Sequence, residues 1–308
     1  MAIAAMETRA ELLIREIRQK TGHETFSAQQ GLPQRMFVSY LNDAQDRLTN
    51  LINQEHGTTM RKVAFVSIVA GTASYTLPTD VYLGHNIVKV DYTTTGDYRD
   101  AVTLTLRTSR EEVSVRGFPD GYFLRDGSIV LSMIPEQAGQ IRIEYQYVIP
   151  QLGIRVGTYA SAGGIGDYEL AAAPLQEQIY DMQNGFVDYI SFVTAEGTVT
   201  AGATFVSYDA ATFTVSLASV TGTPALGNYM VFGKYASTHS MLPQPAKRYL
   251  IEYAVARCQT ADSNALETQM TSPYVQGIEA EVLDAYAVLE EDVMGIPVLD
   301  YDVLGEDY

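Results

Sequence analysis

The sequence predicts an α+β protein: a helix bundle built from N- and C-terminal helices, an antiparallel β domain, and an inserted β-rich lobe. Three observations carry this. Apolar residues recur at helical spacing near both ends of the chain. Between Arg61 and Pro150 the period changes to two. Residues 151–240 then become poor in charge and rich in Gly, Ala, Ser and Thr. The boundaries that follow are 1–60 with 241–297 for the helical bundle, 61–150 for the β domain, 151–240 for the lobe, and 298–308 for an acidic tail.

The spacing predicts a first helix over Met6 to Lys20, with Leu12, Leu13 and Ile17 beside Ala10 and Ile14 on its apolar face. Arg15, Arg18 and Lys20 suit its C-terminal end, where the helix dipole favours cations. Thr21 to Leu32 is a polar connector. Gln34 to Ile52 is the clearest element. Met36, Phe37, Tyr40, Leu41, Ala44, Leu48, Leu51 and Ile52 make a broad stripe. Asn42, Asp43, Asp46, Arg47 and Asn50 occupy the other face, with Pro33 before the helix and Gly57 beyond it. Such a stripe needs a packing partner, and the returning C-terminal helices supply one.

From Arg61, Val63, Phe65, Ser67 and Val69 alternate with Ala64, Val66 and Ile68, as in a strand buried on both faces. Gly71 to Asp80 is a turn and a short strand stopped by Pro78. Asn86 to Tyr92, Ala101 to Leu106, Gly121 to Arg125, Ser128 to Met133 and Gln140 to Val148 read as further strands. Ser109 to Val115 fits a helical turn. Asp126-Gly127 between two apolar runs is a hairpin signal.

In the lobe, Ala160 to Gly166 reads as a flexible loop. Val187 to Val193, Thr198 to Tyr208, Phe213 to Leu217 and Asn228 to Tyr235 read as strands, with a hairpin turn at Asp209-Ala210-Ala211. Phe213, Val215 and Leu217 point one way, and Thr212, Thr214 and Ser216 the other. Val156 to Ser161 and Phe232 to Ser237 resemble each other and would bracket an inserted module. Helices return at Ala246 to Thr260 and Pro273 to Val293, and Gly295-Ile296-Pro297 ends the second.

The 308 residues suffice for two domains or one large one, and an apolar fraction of 46% supports a core. The single cysteine, Cys258, excludes a disulfide framework and fits a reducing compartment. The charged first twenty residues hold no secretory signal, and no apolar run nears the roughly 18 residues of a membrane span. A soluble protein made in a cytoplasm, with no membrane partner, is expected. Net charge is -17, and after Arg257 there are twelve acids and no Lys or Arg. The plain reading is a solvated acidic helix and tail; the sharper one is an interaction tail for a basic partner. Either way the chain as a whole repels nucleic acid.

No catalytic constellation emerges. His23, His56, His85 and His239 are scattered and expected at surfaces or turns. Cys258 lies on the apolar side of a helix and reads as a core residue. Gly163-Gly164-Ile165-Gly166 lacks the Lys-Ser/Thr of a phosphate loop. Asp300 and Asp302 lack the rest of a calcium loop. No cofactor, metal or enzymatic activity is expected. The 21 tyrosines suit strands and, secondarily, protein interfaces.

Several stretches carry a family resemblance. Tyr40 to Leu48 (YLNDAQDRL) precedes Gly71 to Val81 (GTASYTLPTDV) and Asn86 to Tyr92 (NIVKVDY). Gly117 to Tyr145 follows, and then Tyr249 to Tyr253 and Ala261 to Asn264. Together these resemble the head-to-tail connector, or adaptor, proteins of short-tailed bacteriophages, the tail-tubular group. The resemblance covers about residues 30–150 and 243–300 and leaves 151–240 as an insertion. It implies a dodecameric ring beneath the portal protein of the capsid, above a downstream nozzle or tail-tube protein. DNA would pass through its channel without specific binding. Such a protein sits at the head-tail junction of the virion after assembly in the host cytoplasm, and carries no catalytic residues.

Two surfaces are candidates for portal or subunit contact. One is the polar face of the Gln34 to Ile52 helix, with Asp43, Asp46 and Arg47. The other is the tail, where Val298, Leu299, Tyr301, Val303, Leu304 and Tyr308 stud an acidic segment suited to ordering on a partner. The alternative function is a β-rich tail or receptor-binding protein that recognises host surface glycan through 151–240. An unrecognised hydrolase is a third possibility, which no triad or carboxylate pair supports.

Overall fold

A computed structural model of the chain describes residues 9–22, 32–55, 60–78, 80–108, 113, 115–164, 166–242, 245–263 and 273–295. The architecture is mixed α+β, with five α-helices among the described residues and mostly antiparallel strands. Two compact units divide the chain: residues 1–51 with 149–289, and residues 52–148 with 290–308.

The second unit is built on β1 (Arg61–Ile68), β2 (Ser74–Thr76), β3 (Ile87–Thr93), β4 (Val102–Thr103), β5 (Thr105–Leu106), β6 (Arg116–Gly117), β7 (Gly121–Arg125), β8 (Ser128–Leu131), β9 (Ile134–Pro135) and β10 (Gly139–Gln146). One four-stranded sheet runs β1-β10-β3-β4, and another β2-β8-β7-β5. Tyr92, Ile129, Leu131, Ile141 and Ile143 form the core, with Val90 and Tyr145 beside them. The Asp126-Gly127 turn joins β7 to β8, and both residues adopt positive φ (47° and 73°), as the twist of a tight hairpin requires. Two parallel pairs, β5 with β7 and β6 with β9, depart from the all-antiparallel expectation. Ala101 to Leu106 is not one strand. The chain leaves the first sheet at buried Leu104 and joins the second. Ser109 to Val115 lies largely outside the described residues.

Strand β1 corrects the reading of a strand buried on both faces. Ile68 is buried, and partly buried Ala64 and Val66 pack on the core. Val63 and Phe65 remain 48% and 57% exposed, because they point to the face of the sheet opposite the core. Sequence alternation records which residues are apolar; it does not record which faces of the sheet are covered.

The first unit holds β11 (Gln151–Leu152), β12 (Arg155–Gly164), β13 (Asp167–Leu170), β14 (Tyr189–Val193), β15 (Val199–Asp209), β16 (Thr214–Gly222), β17 (Tyr229–Phe232) and β18 (Ala236–Ser237). Strands β12-β13-β16-β15-β14-β17 close into a barrel. Ile190, Phe192, Ala203, Val215 and Met230 fill it, and Tyr159, Tyr168 and Phe192 pack edge-on at 5.2–5.8 Å. Closing so small a barrel needs small residues where strands and side chains approach. A Cβ at Gly202 would lie 2.7 Å from the Tyr189 ring. This explains the misread loop: residues 160–164 are the second half of β12, not a linker. Val156 to Ser161 lies within barrel strand β12, and Phe232 to Ser237 starts at the end of barrel strand β17; the two share no conformation. The first is continuous strand; the second leaves β17, turns through Gly233 and Tyr235 at positive φ, and enters β18. Phe213 does not join Val215 and Leu217 inside. It sits on the β15–β16 turn at φ 54° and is exposed.

The helices among the described residues are α1 (Ala10–Thr21), α2 (Gln34–Glu55), α3 (Gln176–Gln183), α4 (Ala246–Ser263) and α5 (Pro273–Gly295). Helix α3 has no counterpart in the sequence reading. In α1, Ala10, Leu13, Ile14 and Ile17 are buried, whereas Leu12 is exposed. In α2, Phe37, Leu41, Ala44, Leu48 and Ile52 are fully buried, as the stripe requires. Lys20 of α1 bonds Glu252 of α4 at 2.6 Å, and the Arg18 guanidinium lies over the Phe37 ring at 5.3 Å. Cys258 is buried within α4.

Candidate functional site

The polar face of α2 is less free than its composition implies. Asn42 exchanges two hydrogen bonds with the backbone of Leu152, donating to its carbonyl at 3.0 Å and accepting from its N–H at 2.7 Å. Gln45, fully buried, donates to the Pro150 carbonyl and accepts from the Ser240 hydroxyl, both at 2.9 Å. One helix thus holds the chain entering the barrel and the chain leaving it. A buried amide with unpaired atoms is costly, so these two bonds fix the register of α2 against residues 150–152 and 240.

Arg47 donates to Glu279 of α5 through Nε at 2.9 Å and a terminal nitrogen at 3.3 Å. The same carboxylate accepts the hydroxyl of fully buried Tyr249 at 3.0 Å. Burial, and then the Glu279 charge, push the Tyr249 phenol well above its usual value. Asp43 lies 3.7 Å from Arg257 of α4. Asp46 is exposed and, among the described residues, has no cation within ion-pair distance. Partial desolvation, and then neighbouring Asp43, raise its carboxyl. Of the three candidates on this face, Arg47 and Asp43 therefore tie α2 to the C-terminal helices, and Asp46 is the one left presenting charge outward. The tail candidates Val298, Leu299, Tyr301, Val303, Leu304 and Tyr308 lie outside the described residues.

Helix α3 supplies a second set of anchors absent from the sequence reading. Its buried acids Glu177 and Asp181 take arginines from the N-terminal helices: Arg18 donates to Glu177 at 3.0 Å, and Arg35 pairs with Asp181 while stacking on Phe186 at 3.8 Å. Burial raises the Asp181 carboxyl despite the pull of Arg35. An eight-residue stretch with mixed polarity gives little periodic signal, so the sequence alone does not mark these residues.

The outer face of the β1-β10-β3 sheet is laid out in rows. Phe65 faces Arg142, which faces Asp91; Val63 faces Glu144, which faces Lys89. Asp91 accepts from the Thr103 hydroxyl at 2.7 Å and pairs with Lys89 at 3.1 Å and Arg142 at 3.3 Å. Tyr98 lies against Phe65, with ring centroids 5.6 Å apart. The interior charges are thus matched in place, and the rim is apolar. Val69, just past β1, is 61% exposed. Eight consecutive residues of β1 pair with β10 without a register shift. The strand has no proline and no bulge; its charges, Arg61 and Lys62, stand at its start, and the Tyr75 hydroxyl bonds the Val69 backbone at its end, with Val63 and Phe65 between.

Among the described residues, no group of three or more His, Cys, Asp or Glu side chains is placed to hold a metal ion, and no helix is long and apolar enough to cross a membrane. His239 departs from the expectation of a surface or turn histidine. It is buried and accepts a hydrogen bond from Arg9.

Residues 8–174, more than half of the chain, match the SU10 adaptor protein family, and the chain belongs to that family. The family is one of bacteriophage adaptors, which makes the protein a structural component of the virion. The match spans α1, α2, the whole β1–β10 unit and the opening hairpin of the barrel. No individually curated protein matches the chain.

Proposed function

We propose that the protein is a head-to-tail adaptor that forms a ring, dodecameric by resemblance, between the capsid portal and the next tail component. The observation that carries the ring is the β1 edge strand, on which Val63, Phe65 and Val69 are exposed. A closed ring needs each copy to present two different complementary patches, and an open strand edge is one such patch. Helices from both ends of the chain form one bundle facing the portal, and the β-rich parts face the tail. The acidic tail, residues 298–308, folds onto the portal or a neighbouring copy, using its interspersed Val, Leu and Tyr. DNA passes through the channel without specific binding; a net charge of -17 favours sliding over adhesion. The role is structural, without catalysis.

Electron microscopy of the protein mixed with isolated portal tests this. Ring density on the portal is the expected result; portal particles that remain bare under saturating protein refute the reading. Deleting residues 298–308 should leave a folded protein that does not stay on the portal. Full assembly without the tail removes its docking role.

A further inference from the structure

His239 sits where the chain, having left the barrel, passes the start of α1. Arg9 and His239 form an isolated antiparallel bridge, and the Ala10 N–H donates to the Thr238 carbonyl at 2.9 Å. The Arg9 Nε–H donates to His239 Nε2 at 3.2 Å. That contact requires Nε2 to carry a lone pair. The ring is then neutral with its proton on Nδ1, from which it donates to the Thr238 hydroxyl at 2.8 Å. The imidazole is 3% exposed. The charged groups facing it are Arg9, at the head of α1, and Glu196, in the turn between β14 and β15.

We propose that Arg9 and His239 are a proton-sensitive latch that holds the N-terminal end of α1 against residues 238–239. Protonating Nε2 abolishes the acceptor and sets an imidazolium against a guanidinium in a buried site. Glu196 offsets part of that repulsion from an exposed turn. Burial first, and Arg9 second, hold the histidine below its ordinary value of 6.5. The open chain therefore takes up the proton at higher pH than the closed one. Latch stability is complete above about pH 6.5 and falls as the pH drops from there toward the closed-state value. Opening uncovers Leu13, Ile14 and Ile17, which α1 now buries, and turns the helix into an apolar surface available to a neighbour.

The experiment is amide hydrogen exchange on the full chain, read as protection of Ala10–Thr21, between about pH 7.5 and pH 5.5. Protection should fall below about pH 6.5 by up to about tenfold per pH unit in the unaltered protein. It should stay level in His239→Gln, whose amide oxygen still accepts from Arg9 but does not titrate. The ion pairs of Glu11 with Arg155 and Glu16 with Lys247 remain in that variant, so their response is subtracted. Equal loss of protection in both proteins, or no loss in either, overturns the latch. A second readout needs no variant. The His239 ring resonance of the folded protein should titrate below 6.5, and the loss of α1 protection should level off at that same pH; a ring that titrates at or above 6.5 overturns the proposal equally.

Discussion

Arg47 and Glu279 form a two-point ion pair that joins α2 to α5, and the carboxylate is shared with the hydroxyl of Tyr249. Arg47 is largely exposed and Glu279 is not. Solvent screens the exposed partner, so the pair contributes on the order of 0.5–1 kcal/mol. Arg47→Met should lower unfolding stability by about that amount. The coupling with Glu279→Gln, measured by a double-mutant cycle in urea, should be of similar size. A coupling near zero would show that the contact is incidental. Arg47→Glu should lose more than Arg47→Met, because it sets two carboxylates together.

Gln45 is the most exacting position on α2. Gln45→Leu keeps its size but strands the Pro150 carbonyl and the Ser240 hydroxyl. Each buried group left unpaired costs about 1–3 kcal/mol, so a loss of roughly 2–4 kcal/mol is expected from chemical denaturation. A loss below about 0.5 kcal/mol, the range of ordinary surface changes, would mean that water replaces the amide.

Acid sensitivity of the β1–β10 unit should depend on Asp91. Burial opposes its ionisation, but the Thr103 hydroxyl, Lys89 and Arg142 outweigh it and hold the carboxyl below its usual value. The unfolded chain then binds this proton at higher pH than the folded chain. Stability from Asp91 is complete above the unfolded value of 3.8 and is lost as pH falls through the folded value. Asp91→Asn should be less stable near neutrality by about 1–2 kcal/mol. Its thermal midpoint should also change less with pH in the acid range, and an unaltered acid slope would contradict this assignment.

Phe65→Lys separates folding from assembly. The ring is more than half exposed, so stability should change by less than about 0.5 kcal/mol. A charge on an open strand edge blocks pairing with another chain. The variant should remain a folded protein that fails to ring the portal in electron microscopy. Normal rings would remove β1 from the subunit interface.

The parts of this fold that were legible in the sequence are those with local causes. The α2 stripe ends on Phe37, Leu41, Ala44, Leu48 and Ile52, all fully buried, because helical periodicity is written every three to four residues. Asp126-Gly127 was readable for the same reason: the turn demands positive φ at both places. What was not legible depends on distant partners. Ala160 to Gly164 looks like a linker until β13 lies beside it. Phe65 reads as core until its face of the sheet proves to be the outer one. Gln45 and Asn42 look like solvent-facing polar residues, and only the chain returning at 150–152 and 240 makes them clamps. Glu177 and Asp181 are ordinary acids of a short segment until Arg18 and Arg35 arrive from residues far upstream.

The Lys20–Glu252 contact spans 232 residues of sequence. During synthesis at about 5–20 residues per second, α1 leaves the ribosome on the order of 10–50 s before α4 exists to receive it. In that interval α1 lacks its α4 contacts, while the strands of the β1–β10 unit and the barrel are already made. The first helix to be made is among the last to be satisfied, so a nascent chain stalled before residue 246 would hold finished β structure and an N-terminal segment open to chaperones or proteases.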